Sequence, residues 1–174
     1  MGLSPLPCRR IIGSHLACPA CACLMSPIND STDAYAQTRF PLHGRVQIVG
    51  EWPFLLNHAE GPFNKELVLA LGQLLATQIP PLQAQGPWVL LAIIGYSTLA
   101  TDEALDTFAR MLQALSASGM APRAVAHVTA PEVEGAGLMD EAMARCFDAA
   151  GIPFASFREE PAARGWLEAQ LACD

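Results

Sequence analysis

From Arg45 to Leu171 the chain alternates without a break between short β-branched or aliphatic runs and longer runs with helical spacing. No other feature constrains the fold as much, because strand and helix in turn at this spacing build a layered α/β domain. The element order reads ββαβαβαβα: a mixed β-sheet packed with about four helices.

Each element carries its own signal. Val46, Ile48 and Trp52 alternate with polar neighbours and Phe54 to Asn57 forms a second run, which predicts two consecutive antiparallel strands. Asn64 stands at an N-cap position before a helix whose apolar face is Leu67, Leu71, Leu74, Leu75 and Ile79, with Pro80 and Pro81 expected to stop it. Trp88 to Ile94 is apolar throughout, as a central strand covered on both faces must be. Thr101 then caps a helix, Asp102 and Glu103 complement its positive dipole end, and Leu105, Phe108, Leu112 and Leu115 form its buried stripe up to Gly119. A strand from Arg123 to Thr129 follows. The next helix has the stripe Leu138, Met139, Ala142, Met143, Cys146 and Phe147 and stops at Gly151. A strand from Pro153 to Phe157 and a helix begun at Pro161 complete the order. Right-handed crossovers should make the final three strands parallel.

With 174 residues, one domain and a tail account for the chain. We divide it into residues 1–43, a disordered or wrongly included N-terminal tail, and residues 44–174, the α/β domain. From Ser26 to Arg39 the composition is polar and without periodicity, so this stretch is expected not to order itself. Hydrophobic residues make up 52% and charged residues 16%, which points to apolar surface packed against a partner, with a homodimer as the simplest form.

Charge and length exclude two kinds of partner. Against 17 acidic residues stand 10 basic ones, of which Lys65 is the only lysine, so no basic stripe exists to neutralise nucleic-acid phosphates. The longest apolar run, Trp88 to Gly95, is far short of the roughly 20 residues of a membrane-spanning helix, so the reading is a soluble, cytoplasmic protein.

Four of the six cysteines, Cys8, Cys18, Cys21 and Cys23, crowd the first 23 residues. Cys18 and Cys21 form one knuckle, but Cys23 is too close to Cys21 to form a second, so we expect no metal site. A secretory signal fails too, because the apolar run after Arg9 and Arg10 is short and broken by Gly13, Ser14 and His15. Met25 is an alternative start. Cys146 and Cys173 then read as ordinary thiols.

In open α/β sheets, ligands and partners meet the loops after the carboxyl ends of the parallel strands. Those loops and the helix starts beyond them hold Asp102, Glu103, Glu132, Glu134, Glu159 and Glu160 against Arg158 alone. Such an edge repels phosphate, and no glycine-rich phosphate motif or nucleophile elbow occurs. His58 and His127 lie on or beside strands and are expected to be satisfied structural residues. The hydroxyls most worth following are Tyr96, Ser97, Thr98 and Thr101, between the central strand and the next helix. Thr101 already has a role as a cap. No catalytic set emerges, and no cofactor is expected.

Four segments carry a resemblance to a known family. These are Gly61-Pro62-Phe63-Asn64-Lys65-Glu66 at a helix start, the core run Trp88 to Ile94, Leu99 to Leu105, and Phe157-Arg158-Glu159-Glu160 leading to Trp166 and Leu167. In these the chain resembles bacterial STAS-like proteins, relatives in fold of the anti-sigma-factor antagonists, over about residues 45 to 171. The resemblance implies a non-enzymatic module that binds an unidentified protein partner in bacterial signalling or regulation. In the antagonists a serine just after the core strand is phosphorylated by a partner kinase. Here that stretch reads Ala100-Thr101-Asp102-Glu103-Ala104, with acids where the phosphoserine stands. The corresponding partner-binding or regulatory residues are therefore Tyr96, Ser97, Thr98, Thr101, Asp102 and Glu103. The competing expectation is a small-molecule binder or enzyme with a pocket near Tyr96, Ser97 and the Ala130 to Gly137 loop.

Overall fold

The computed structural model describes residues 28–36 and 39–173. They form a six-stranded mixed sheet with four α-helices, the α/β class that the alternation predicts. The strands are β1 (Ile28–Ser31), β2 (Arg45–Glu51), β3 (Phe54–Glu60), β4 (Val89–Gly95), β5 (Val125–Thr129) and β6 (Phe154–Phe157). The helices are α1 (Lys65–Gln83), α2 (Asp102–Ala117), α3 (Asp140–Ala149) and α4 (Glu160–Ala172), and a 3₁₀ turn spans Thr32–Tyr35.

Spatial order follows chain order from β1 to β6. The β1–β2 and β2–β3 pairs are antiparallel, whereas β3, β4, β5 and β6 are parallel. The parallel set thus has four strands, one more than expected, because α1 is itself a crossover from β3 to β4. Every crossover steps to the next strand in the same direction, so a common handedness puts α1, α2 and α3 on one face. The two cores agree. Leu90 and Ala92 of β4 pack with Leu74 and Leu75 of α1, Leu112 of α2 and Phe147 of α3, while Val89 and Leu91 pack with Ala163 and Leu167 of α4. Burial on both faces explains why β4 reads as an unbroken apolar run.

Three expectations are corrected. The segment from Ser26 to Arg39 was expected to stay unordered, yet Ile28–Ser31 pairs with Gly50 to Gln47 of β2. Thr32 is fully buried, and its Oγ1 donates to the Val46 carbonyl and accepts from the Val46 N–H. Tyr35 and Thr77 share a hydroxyl bond at 3.1 Å, and Gln78 Nε2 donates to Asp30. Order here comes from polar groups completing a sheet edge, which a criterion of apolar content does not register.

Pro80 and Pro81 do not end α1, which runs on to Gln83. Each proline lacks the N–H that helical bonding uses. Ile79 and Leu82 on either side are almost completely buried, and the indole N–H of Trp88 donates to Gln83 Oε1 at 2.8 Å. Tertiary packing holds the turn that local chemistry opposes.

Leu138 was expected in the buried stripe of α3 but lies before the helix and is 70% exposed. Cys146 and Phe147 are the buried residues of that helix.

Candidate functional site at the carboxyl edge of the sheet

The four parallel strands deliver their carboxyl ends to one edge, where the following loops are fastened to one another. Phe63 N–H donates to the Leu99 carbonyl and Thr101 N–H to the Phe63 carbonyl, joining the loop after β3 to the loop after β4. Thr98 N–H donates to the Glu134 carbonyl and Glu134 N–H to the Tyr96 carbonyl, joining the loop after β4 to that after β5. Thr98 Oγ1 adds bonds to the carbonyls of Gly135 at 2.7 Å and Glu134 at 3.3 Å. Two glycines permit this approach. A Cβ on Gly61 would collide with the Ser97 carbonyl, and one on Gly135, whose φ is +74°, would lie 2.7 Å from Thr98 Oγ1.

The six sequence-derived residues separate into two groups. Ser97 and Thr98 are 2% and 4% exposed, and Ser97 Oγ accepts from the Leu99 N–H at 3.2 Å. They are fasteners inside the edge. Thr101 caps α2 as expected, its Oγ1 accepting from the Ala104 N–H at 3.2 Å, and Asp102 and Glu103 stand exposed in the first turn. Tyr96 is 75% exposed.

Tyr96 is also the only residue other than glycine with positive φ among the described residues, at 57°. Ser97 N–H donates to the Gly95 carbonyl at 2.7 Å across it, which makes a γ-turn of the rare, strained hand. The turn aims Tyr96 outward and Ser97 inward. A bulky residue in this region costs about 1 to 2 kcal/mol relative to a right-handed conformation, and the surrounding bonds to Gly95 and Glu134 hold it there.

On the loops and helix starts of the same edge, Asp102, Glu103, Glu132, Glu134 and Glu159 are exposed. Arg158 is occupied, donating to the Thr129 carbonyl at 3.3 Å and pairing with Asp140 at 3.4 Å. Strand order does not reverse within the parallel set, which is why α1, α2 and α3 share one face, and among the described residues the edge lacks the crevice that such a reversal opens.

Asn57 and His127 were not singled out as a site. Asn57 on β3, Ala92 on β4 and His127 on β5 occupy one cross-strand row, facing the helices. Asn57 and His127 are 7% and 8% exposed, and Asn57 Oδ1 is buried with no hydrogen-bond partner among the described residues. His127, expected to be a structural residue, packs against the rings of Phe147 and Phe154, met edge-on at 5.6 and 4.8 Å. Burial alone pushes its pKa down to about 4, so the imidazole is neutral at pH 7. The signal was present: Asn57 and His127 stand at the same parity as the buried Leu55 and Val125, polar residues at core positions of apolar strands. His58, by contrast, is exposed.

Among the described residues no group of three His, Cys, Asp or Glu side chains converges as a metal ion requires, and no helix is long and apolar enough to cross a membrane. Cys8, Cys18, Cys21 and Cys23 lie outside the described residues. Cys146 is buried, with its thiol pushed up by that burial, and Cys173 is exposed. Compared with known proteins, the chain matches no family model, no curated protein and no solved structure.

Proposed function

We propose that the chain is a non-enzymatic, STAS-like binding module whose carboxyl edge receives a protein partner in bacterial signalling or regulation. The observation that carries this reading is Tyr96, an aromatic residue held in a strained turn and three-quarters exposed. Strain of this kind persists where position serves a purpose, and an exposed tyrosine is a preferred anchor of protein interfaces. The exposed acids of the same edge favour a partner with a basic surface and an apolar recess for the ring. A second copy of the same edge would meet like charge, so this edge does not suit a symmetric dimer.

The engagement of the hydroxyls supports a binding role. Ser97 and Thr98 are buried and bonded to backbone, and Thr101 Oγ1 is committed to its cap. Nucleophilic catalysis needs such a group beside a base.

Photo-crosslinking tests the reading. A photoreactive phenylalanine analogue at position 96, and in a control at position 85 on the far end of the sheet, is activated in an extract of cells that produce the protein. The expected result is a discrete protein adduct from position 96 that weakens with salt and is absent from position 85. Equal labelling from both positions, or none from position 96, contradicts the proposal.

The alternative of a small-molecule pocket among these loops is disfavoured where the loops bond directly to one another. Space for a small molecule lies elsewhere, beneath the helices.

A further inference from the structure

Between the sheet and helices α1, α2 and α3 lies a cavity of about 100 Å³. Its walls are apolar side chains such as Leu71, Phe108, Met111 and Phe147, and the polar residues among them are Asn57 and His127. Among the described residues no charged side chain lines it. Two facts distinguish it from a packing gap. A buried carboxamide oxygen without a partner costs stability that an apolar residue of the same shape would not, so its presence calls for a use. In addition, Ala92 between Asn57 and His127 is small, leaving the middle of the row open to both.

We propose that this cavity binds a small, uncharged, mainly apolar molecule carrying one hydroxyl, of about the size of phenol, which donates its hydrogen bond to Asn57 Oδ1. An engineered apolar cavity of roughly 150 Å³ takes up benzene, so one of about 100 Å³ admits at most a single ring, and only with some yielding of its walls. The lack of charge follows from the lining, where neither an anion nor a cation would find a counter-ion. The hydroxyl supplies the donor that the carboxamide oxygen lacks. Met111 and Met143 line the cavity and are half-buried, and their flexible side chains admit a guest without backbone movement. The site is independent of the partner-binding edge and does not rest on that reading.

Calorimetric titration of the full chain with phenol and with benzene, with the side-chain amide signals of Asn57 followed by NMR, tests the proposal. Phenol should bind at least tenfold more tightly than benzene and shift the Asn57 amide signals. In Asn57→Leu the preference should vanish while the melting temperature does not fall, because the replacement removes an unpartnered polar group. The wild-type comparison stands without the variant. Equal binding of phenol and benzene, or binding of neither at millimolar concentration, overturns the proposal, as does phenol binding that leaves the Asn57 signals unmoved.

Discussion

His127 shows at the scale of one residue how burial becomes a pH response. Its pKa falls from 6.5 to about 4 through desolvation, with no charged group contributing. Between those values the unfolded chain takes up a proton that the folded chain refuses, so stability is fully present above pH 6.5 and is lost as pH falls toward 4. The full difference is about 3 kcal/mol. Denaturant unfolding of wild type and His127→Phe between pH 4 and 7 should show a His-dependent loss only below pH 6.5; parallel curves would show that burial does not control this group. Thr101 gives a second test. As a cap, Thr101→Ala should cost about 1 kcal/mol, and Thr101→Asp should be nearly neutral because aspartate also caps and suits the dipole end. If Thr101 is instead a phosphorylation switch, Thr101→Asp changes partner affinity more than tenfold with its melting temperature intact.

At the scale of elements, the parts legible in the sequence were those whose signal is local. The β2–β3 pair, the apolar β4 and the caps Asn64 and Thr101 follow from alternation, burial on both faces and side-chain oxygens at helix starts. Where tertiary contacts decided, the local signal misled: buried Ile79 and Leu82 carry α1 through two prolines, and β1 exists because β2 offers it an edge. Deletion separates these effects. Removing residues 1–24 should leave the melting temperature unchanged, since nothing in their composition predicts packing. Removing residues 1–36 should cost about 1 to 3 kcal/mol, because the β1 pairing with β2 and both hydrogen bonds between Thr32 and Val46 are lost together. It also bares the edge of β2, so increased aggregation should accompany the loss.

At the scale of the whole molecule, sequential strand order puts three helices on one face, the loops of the carboxyl edge are fastened together, and a cavity lies beneath the helices. The sequence pointed to the carboxyl edge, because carboxyl ends of parallel strands are where loops gather. It did not separate inward Ser97 and Thr98 from outward Tyr96, since a γ-turn leaves no pattern in residue type. It also read His127 as structural and did not single out Asn57, because the row they share with Ala92 spans three strands. The central claim is that Tyr96 is kept for binding at a cost in stability. Its most direct test is Tyr96→Gly, with melting temperature and affinity for the protein crosslinked at position 96 measured on the same preparation. Glycine relieves the positive φ, so the account predicts a variant more stable by up to about 1 kcal/mol that binds at least tenfold more weakly. A variant that binds as tightly as wild type, whatever its stability, would contradict the claim.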